Sequence, residues 1–571
     1  MARTPLFRTL SRLLLEGRAA ARARVPVLEF AERERERRAV SRRRFLAMSA
    51  GVASIPLLAA CGVKAPPAPT APTVAIVGGG IAGVHCAYRL RNLGVAATIY
   101  DAGKRVGGRM FTDRSTFPEG MHCELGGELI DTDHWTMRDL AKELGLALHD
   151  YDDDDKTLAT IVASIGGKHL TEQDILVGMA PIAAKIDQSL ATLTDQSDLF
   201  VYYNKTNGGG ALDALSISAW LDSVGATGDI RTLLEVAYNI EYGLETTESN
   251  ALNLLFLIST DTMKLGLYGD SDERFHPKLG NDSFPTLLAA ALDPAQIVLE
   301  TALRSIAERA DGRYVLDFQQ GMSNKQIIAD HVVLALPFSI LRKLDVKLDL
   351  PGPKRAAIAE LGYGTNAKLM AGFSSRPWRE LHKSNGETFT DLPFQATWET
   401  SRLQPGSSGI ITNFTGGKRG VAIGEGPPAD RMADFLDQFD GVFAGAKAAS
   451  NGKVARMHWP TNPLVLGSYS AYKVGQYTKF AGAERPRYKN VHFCGEHTSL
   501  EAQGYMEGAA ATGAMAAAEI AADLGISTPK TMSAQSGPLA WSPGDRILAR
   551  ARAALAHGAR SAALGRARQV G

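Results

Sequence analysis

The chain has 571 residues and a formal net charge of +1, too long for a single hydrophobic core and too neutral to argue for nucleic acid or an acidic substrate. The neutrality is uneven: residues 1–60 hold 13 Arg, no Lys and 5 Glu, a net of +8, which leaves −7 for the remainder. Four cysteines, Cys61, Cys86, Cys123 and Cys494, are scattered without C-x-x-C spacing, so neither a zinc site nor a disulfide framework is suggested.

In chain order, the first seventy residues read as a leader. Ser41-Arg42-Arg43-Arg44-Phe45-Leu46 resembles the twin-arginine export motif. The uncharged run from Phe45 to Ala60 behind it is shorter than the roughly 20 apolar residues of a membrane span. It ends in Leu58-Ala59-Ala60-Cys61, which matches a lipobox. Residues 1–60 are therefore expected to be a twin-arginine signal peptide, with membrane association through a lipid anchor at Cys61 and a periplasmic or outward-facing location. Residues 61–72, rich in Pro and Ala, are an extended linker.

Val74-Ala75-Ile76-Val77 predicts a buried parallel strand, and Gly78-Gly79-Gly80-Ile81-Ala82-Gly83 follows it with G-x-G-x-x-G spacing. A helix pattern runs to Gly94, and a second strand, Ala97-Thr98-Ile99-Tyr100, ends at Asp101 with Ala102 behind it. Each part has a physical task in holding a dinucleotide. Gly78 allows the tight turn, Gly80 lets backbone approach a pyrophosphate, and Gly83 lets the helix pack closely on the strand. Unpaired N–H groups around Ile81 and Ala82 face the phosphate charge, and Asp101 accepts from the ribose. Glycines alone would be weak evidence; the complete strand–loop–helix–strand–acid unit is specific.

Arg105-Val106-Gly107-Gly108-Arg109-Met110-Phe111-Thr112 resembles the RVGGR-x-x-T element of the flavin amine oxidases. The resemblance spans roughly Thr73 to Asp523 and implies FAD, with Arg105, Gly108 and Arg109 at the pyrophosphate. It implies that Glu124-Leu125-Gly126-Gly127 lies beside the isoalloxazine ring and that Leu303 offers backbone to the adenine. His331-Val332-Val333-Leu334-Ala335-Leu336-Pro337 matches the strand leaving the cofactor domain. Gly495 and Glu496 match cofactor contacts, Tyr505 a position facing the flavin, and Met506 the start of a helix aimed at its pyrimidine edge. The family usually has Glu where this chain has Asp101.

The same resemblance places Tyr469 and Tyr505 at the two walls of an aromatic cage and Trp459 in the pocket. Lys368 matches a lysine that holds a water against the flavin, where a cation favours oxygen reduction. Ser468 stands where some relatives attach FAD through Cys, so the cofactor is expected to be non-covalent. The segment Gly127-Glu128-Leu129-Ile130 lacks the arginine with which amino-acid oxidases hold a carboxylate. Glu128 either attracts a cationic amine or is an ion-paired or solvated acid. Asp152 to Asp155 reads as a solvated loop, and no metal site is expected.

The expected fold is α/β: a Rossmann-like FAD domain (73–150, 270–345 and 485–525) beside an α+β substrate domain (151–269 and 346–484), with an Ala/Arg-rich tail over 526–571. The expected function is oxidation of an amine to an imine by hydride transfer to FAD. Partners would be a small-molecule amine and O2 or another acceptor, with no nucleic acid. The alternatives are an L-amino-acid oxidase, a desaturase or dehydrogenase of the same fold, or a non-catalytic flavin-binding module.

Overall fold

The computed structural model describes residues 72–258, 267–268 and 271–528. The twin-arginine segment, Cys61, residues 61–71 of the linker and the tail from residue 529 lie outside them. Among the described residues no helix is long and apolar enough to cross a membrane.

The predicted unit forms as read. Val74–Val77 is buried along its whole length, the pattern of a parallel strand covered on both faces. It pairs in parallel with Ala97–Tyr100 and with His331–Leu334. Ile297–Val298 and Val491–Phe493 complete the edges of this five-stranded, all-parallel sheet. Its strands come from three distant stretches of chain. The helix Ile81–Asn92 packs against Met506–Asp523, the last helix among the described residues. Their approach depends on missing side chains: a Cβ at Gly513 would lie 2.2 Å from the carbonyl oxygen of Ala82.

A second sheet carries the antiparallel strands Thr301–Glu308, Tyr314–Gln320 and Ser323–Ala329, with Asp345–Lys347 added in parallel. A third, mixed sheet has seven strands, centred on Ala367–Phe373 and Gly409–Thr415 and edged by Ser450–His458 and Lys168–Leu170. Helices Glu172–Leu190, Ile217–Ser223, Gly228–Tyr242 and Ala251–Leu257 are built around buried Trp220, Leu233, Tyr238 and Leu254.

Asp152, Asp153 and Asp155 are exposed as expected, and one member of the acidic run departs from that. Asp154 is not a solvated carboxylate: both its oxygens accept from Arg379, at 2.8 and 2.7 Å. Asp152 pairs with Arg274 at 3.0 Å. Like charges along the chain are separated by basic partners that only the tertiary fold supplies.

Candidate functional site

One cavity of about 1240 Å3 is lined by Gly78, Asp101 and Arg109 of the nucleotide-type unit and by Lys368, Trp398 and Phe414 of the seven-stranded sheet. That exceeds the roughly 300–1,000 Å3 of usual small-molecule pockets. It leaves room for a dinucleotide and a further small molecule.

At one end, two helices present uncapped N-termini to this cavity. Gly80 begins Ile81–Asn92 and Tyr505 begins Met506–Asp523, and neither supplies a side-chain cap. Gly80, Ile81, Ala82, Tyr505 and Met506 all line the cavity. Free N–H groups and the positive helix end suit phosphate at one and a reduced ring's negative edge at the other. A Cβ on Gly80 would meet no atom within 4 Å, whereas one on Gly83 would lie 2.0 Å from the Gly78 carbonyl oxygen. Space is thus reserved above Gly80 and used up at Gly83. Gly78, at φ +108, would bring a Cβ to 2.5 Å from the Ala335 carbonyl. The loop fits an FAD pyrophosphate.

Other residues assigned to the cofactor turn out to shape its cradle. Asp101 accepts from the N–H of Gly79 at 2.5 Å and of Gly103 at 2.6 Å, so each oxygen already holds backbone before any ribose arrives. Arg105 donates to the carbonyls of Val106, Gly108 and Met110, closing its own loop, while Gly108 lines the cavity. Arg109 gives Nη1 to Glu496 Oε1 at 2.9 Å and to the Ser468 carbonyl at 2.8 Å, leaving only the rest of the guanidinium for phosphate. Glu496 also accepts from Ser470 Oγ and the Gly504 N–H. Burial would raise its carboxyl, but Arg109 and these donors hold it below the usual range. Gly495 lines the cavity beside it. Leu303 is buried in Thr301–Glu308, paired with Phe318, and Ala102 is exposed; neither is in the lining.

Lys368 is no surface lysine. Its Nζ donates to the Gly126 carbonyl at 2.8 Å and to Glu128 Oε2 at 2.7 Å. Thr400 donates to the other oxygen of Glu128. Burial would raise the Glu128 carboxyl, but the ammonium outweighs it and holds it low. Of the two readings left open for Glu128, the geometry matches the ion-paired acid, its partner being the Lys368 ammonium. Trp459 packs in the same wall, its Nε1 donating to the Leu125 carbonyl at 3.0 Å.

The two cage tyrosines converge on one residue, Glu241. Helix Gly228–Tyr242 ends at Gly243, which takes the left-handed φ of 63°. Its last carbonyls lack helical partners and are satisfied by side chains. Tyr469 donates to the Glu241 carbonyl at 2.6 Å, and Asn366 Nδ2 donates to that of Ile240 at 2.5 Å. The Tyr505 hydroxyl donates to the Glu241 carboxylate at 2.9 Å. Burial pushes Glu241 up to about 7, with Asp131 adding to it against the Tyr505 bond. Burial raises both phenols well above their ordinary value, so they remain neutral donors.

Further charged residues line the cavity and were not anticipated, among them Asp131, Glu273, Glu387 and Arg402. Asp131 directly follows the segment Gly127–Ile130, but Glu273, Glu387 and Arg402 lie far from every motif, which is why spacing did not reveal them. Burial, together with the neighbouring acids Glu387, Asp131 and Glu241, raises Glu273 well above the carboxylate range. Arg402 opposes this at both Glu273 and Glu387.

Residues 81–521 match the family described as flavin containing amine oxidoreductase. An L-amino-acid oxidase of Siganus canaliculatus is 26% identical over 78% of this chain and 85% of its own length. A cyclohexylamine oxidase from Brevibacterium oxydans IH-35A shares the fold at a TM-score of 0.68 and 21% identity, over 80% of this chain and 99% of that one. A putrescine oxidase solved with putrescine bound gives a TM-score of 0.68 at 19% identity, over 79% and 99%.

Proposed function

The chain belongs to the flavin containing amine oxidoreductase family, and we propose that it oxidises an amine to an imine with non-covalently held FAD. The observation that carries this is the convergence of Tyr469 and Tyr505 on Glu241, in a cavity that also holds two uncapped helix N-termini. FAD, when bound, supplies a two-electron acceptor: the amine gives up two electrons and two protons, and O2 then takes them to form H2O2. Water hydrolyses the released imine to a carbonyl compound and an amine or ammonia.

The protein's own part is to bind, orient and deprotonate. Phenol rings of Tyr469 and Tyr505 wall the reacting nitrogen and keep water from it. An amine in solution is protonated and must lose that proton before its carbon is oxidised. Glu241, set near 7 by burial, is the group we assign to take it at its carboxylate, because a base poised near the working pH is most effective. Lys368 and Glu128 form a neutral pair that fixes the Gly126 carbonyl. The segments 73–150, 270–345 and 485–525 are read as the FAD domain, since every strand of the parallel sheet falls within them.

Arg402 favours a second reading, an L-amino-acid oxidase, because a cavity guanidinium can hold a carboxylate. Anaerobic mixing with amines and with amino acids separates the two, since only a substrate bleaches the flavin absorbance. Peroxide measured per turnover tests O2 as the acceptor.

The leader belongs to this proposal too. Export by the twin-arginine route with lipidation at Cys61 is supported by Ser41–Leu46 and Leu58–Cys61 in the sequence. Fractionation of expressing cells, with Cys61→Ala moving the protein out of the membrane fraction, is the test.

A further inference from the structure

We propose that His331, His492 and Asp523 bind a divalent cation of the zinc class, at the end of the parallel sheet opposite the glycine loop. His331 opens the strand His331–Leu334 and pairs with Val74, whereas the loop begins after Val77. His492 lies in the parallel neighbour Val491–Phe493, and Asp523 ends the helix Met506–Asp523. A ring nitrogen of each histidine and a carboxylate oxygen of Asp523 all lie within 4.8 Å of one another. The two imidazoles stack, their centroids 5.8 Å apart. Three separate elements supply these groups, so no spacing in the sequence announced them.

Hydrogen bonding prepares both rings as ligands. Glu519 Oε2 lies 2.8 Å from His492 Nδ1. Burial would raise the Glu519 carboxyl, but His492 holds it below its ordinary value, so it is an ionised acceptor. The His492 proton therefore sits on Nδ1, which leaves the lone pair of the neutral ring on Nε2. A carboxylate behind an imidazole is the usual support of a metal-bound histidine. His492 Nε2 and His331 Nδ1 are both buried without a hydrogen-bond partner, which is uncommon in a folded protein and calls for a partner of another kind. Burial and the neighbouring His492 lower His331, so its ring too is neutral. His331 Nδ1 and Asp523 Oδ2 stand 3.9 Å apart. That is too long for a hydrogen bond, but a zinc about 2.0–2.2 Å from each would bridge it.

Charge agrees with this. Asp330, Glu519 and Asp523 act on the two rings, against the guanidiniums of Arg485 and Arg487. Arg487 also donates to Asp523, so a cation shares that carboxylate with it. The carboxyl end of a helix adds further negative potential. Two imidazoles and one carboxylate suit zinc, cobalt or nickel; magnesium and calcium prefer oxygen throughout. Asp523 is exposed and offers the ion a way in. The helix has 18 residues, which at about 1.5 Å each sets the site about 27 Å from the end facing the cavity. The ion would not touch the reacting atoms. It would fasten the far end of that helix to the sheet. The cluster of His122, Glu124 and His276 is built differently, since Glu124 already accepts from Thr112 and the Asn281 N–H and meets His276 Nε2 at 3.0 Å.

The test uses the full-length, flavin-bearing protein, stripped with EDTA and titrated with zinc chloride. We expect zinc to stay bound through gel filtration at one per chain and to raise the thermal midpoint, and magnesium chloride to do neither. His331→Gln and His492→Gln should weaken zinc binding at least about hundredfold and Glu519→Gln about tenfold, as befits ligands and a supporting partner. Asp523→Ala, at the surface, keeps the test decisive where a buried histidine variant fails to fold, and the flavin spectrum reports folding in each. A parent that retains no zinc would overturn the proposal. So would variants that bind zinc as the parent does, which would put the ion in another cluster.

Discussion

Tyr505 and Glu241, 264 positions apart, meet through a 2.9 Å hydrogen bond from the phenol to the carboxylate. The second cage tyrosine reaches the same residue through its backbone carbonyl. The side chain of Glu241 thus anchors one wall of the cage, while its main chain fixes the other.

That link predicts a pH dependence. Burial raises Glu241 to about 7, so it is protonated below neutrality and ionised above. If its ionised form takes the substrate's proton, kcat/KM rises as pH increases through about 7. Glu241→Gln should abolish this limb and leave only the limb that belongs to the amine itself. A pH profile with both enzymes checks it, and an unaltered limb near 7 in the variant would remove Glu241 from the role.

The glycines of the loop should separate into two kinds. Gly80→Ala adds a Cβ where no protein atom lies within 4 Å, while Gly83→Ala drives one to 2.0 Å from the Gly78 carbonyl oxygen. Gly80→Ala should leave the thermal midpoint of the flavin-free protein unchanged and weaken FAD binding at least about tenfold, since only the cofactor occupies that space. Gly83→Ala should lower that midpoint as well. Titration with FAD and thermal melts without it distinguish them.

The Lys368–Glu128 pair should behave as a buried ion pair. Lys368→Met strands Glu128 without its ammonium and should cost roughly 3–5 kcal/mol. Adding Glu128→Gln to it should restore most of that. Glu128 is held below its ordinary value of 4.5. The pair's contribution is therefore fully present above that value and fades as pH falls through the folded one. Chemical denaturation at pH 7 and at pH 4 checks both the size and the sign.

Ser468 bears on how the flavin is held. Its hydroxyl donates to Asn366 Oδ1 at 2.6 Å, and it lines the cavity where some relatives carry a Cys. A hydroxyl forms no thioether, so acid precipitation of the holoprotein should leave all the yellow colour in the supernatant. Colour in the pellet would contradict it.

What could be read from the chain follows the range of each interaction. Val74–Val77, Ile81–Asn92 and Ala97–Tyr100 were legible because apolar runs and glycines specify them locally. Tyr469, Tyr505 and Lys368 could be named from motifs. Their partners could not, because Glu128 meets Lys368 across 240 residues and Tyr505 meets Glu241 across 264. Glu273 and Glu387 carry no local pattern at all. Gly243, just behind Glu241 and Tyr242, ends its helix in the left-handed region. A local signal marked where the helix stops, but not what its last acid would face.

The parallel sheet has a consequence for how the polypeptide is made. Val491–Phe493 pairs with His331–Leu334, and Met506–Asp523 lies on Ile81–Asn92. Glu507, from that final helix, caps Trp135–Glu143 by accepting from the N–H groups of Thr136 and Met137. The ribosome must therefore deliver residues up to 523 before Ile81–Asn92 and Trp135–Glu143 gain their lasting neighbours. A translation product that stops short of residue 506 would lack both the helix that packs on Ile81–Asn92 and the carboxylate that caps Trp135–Glu143.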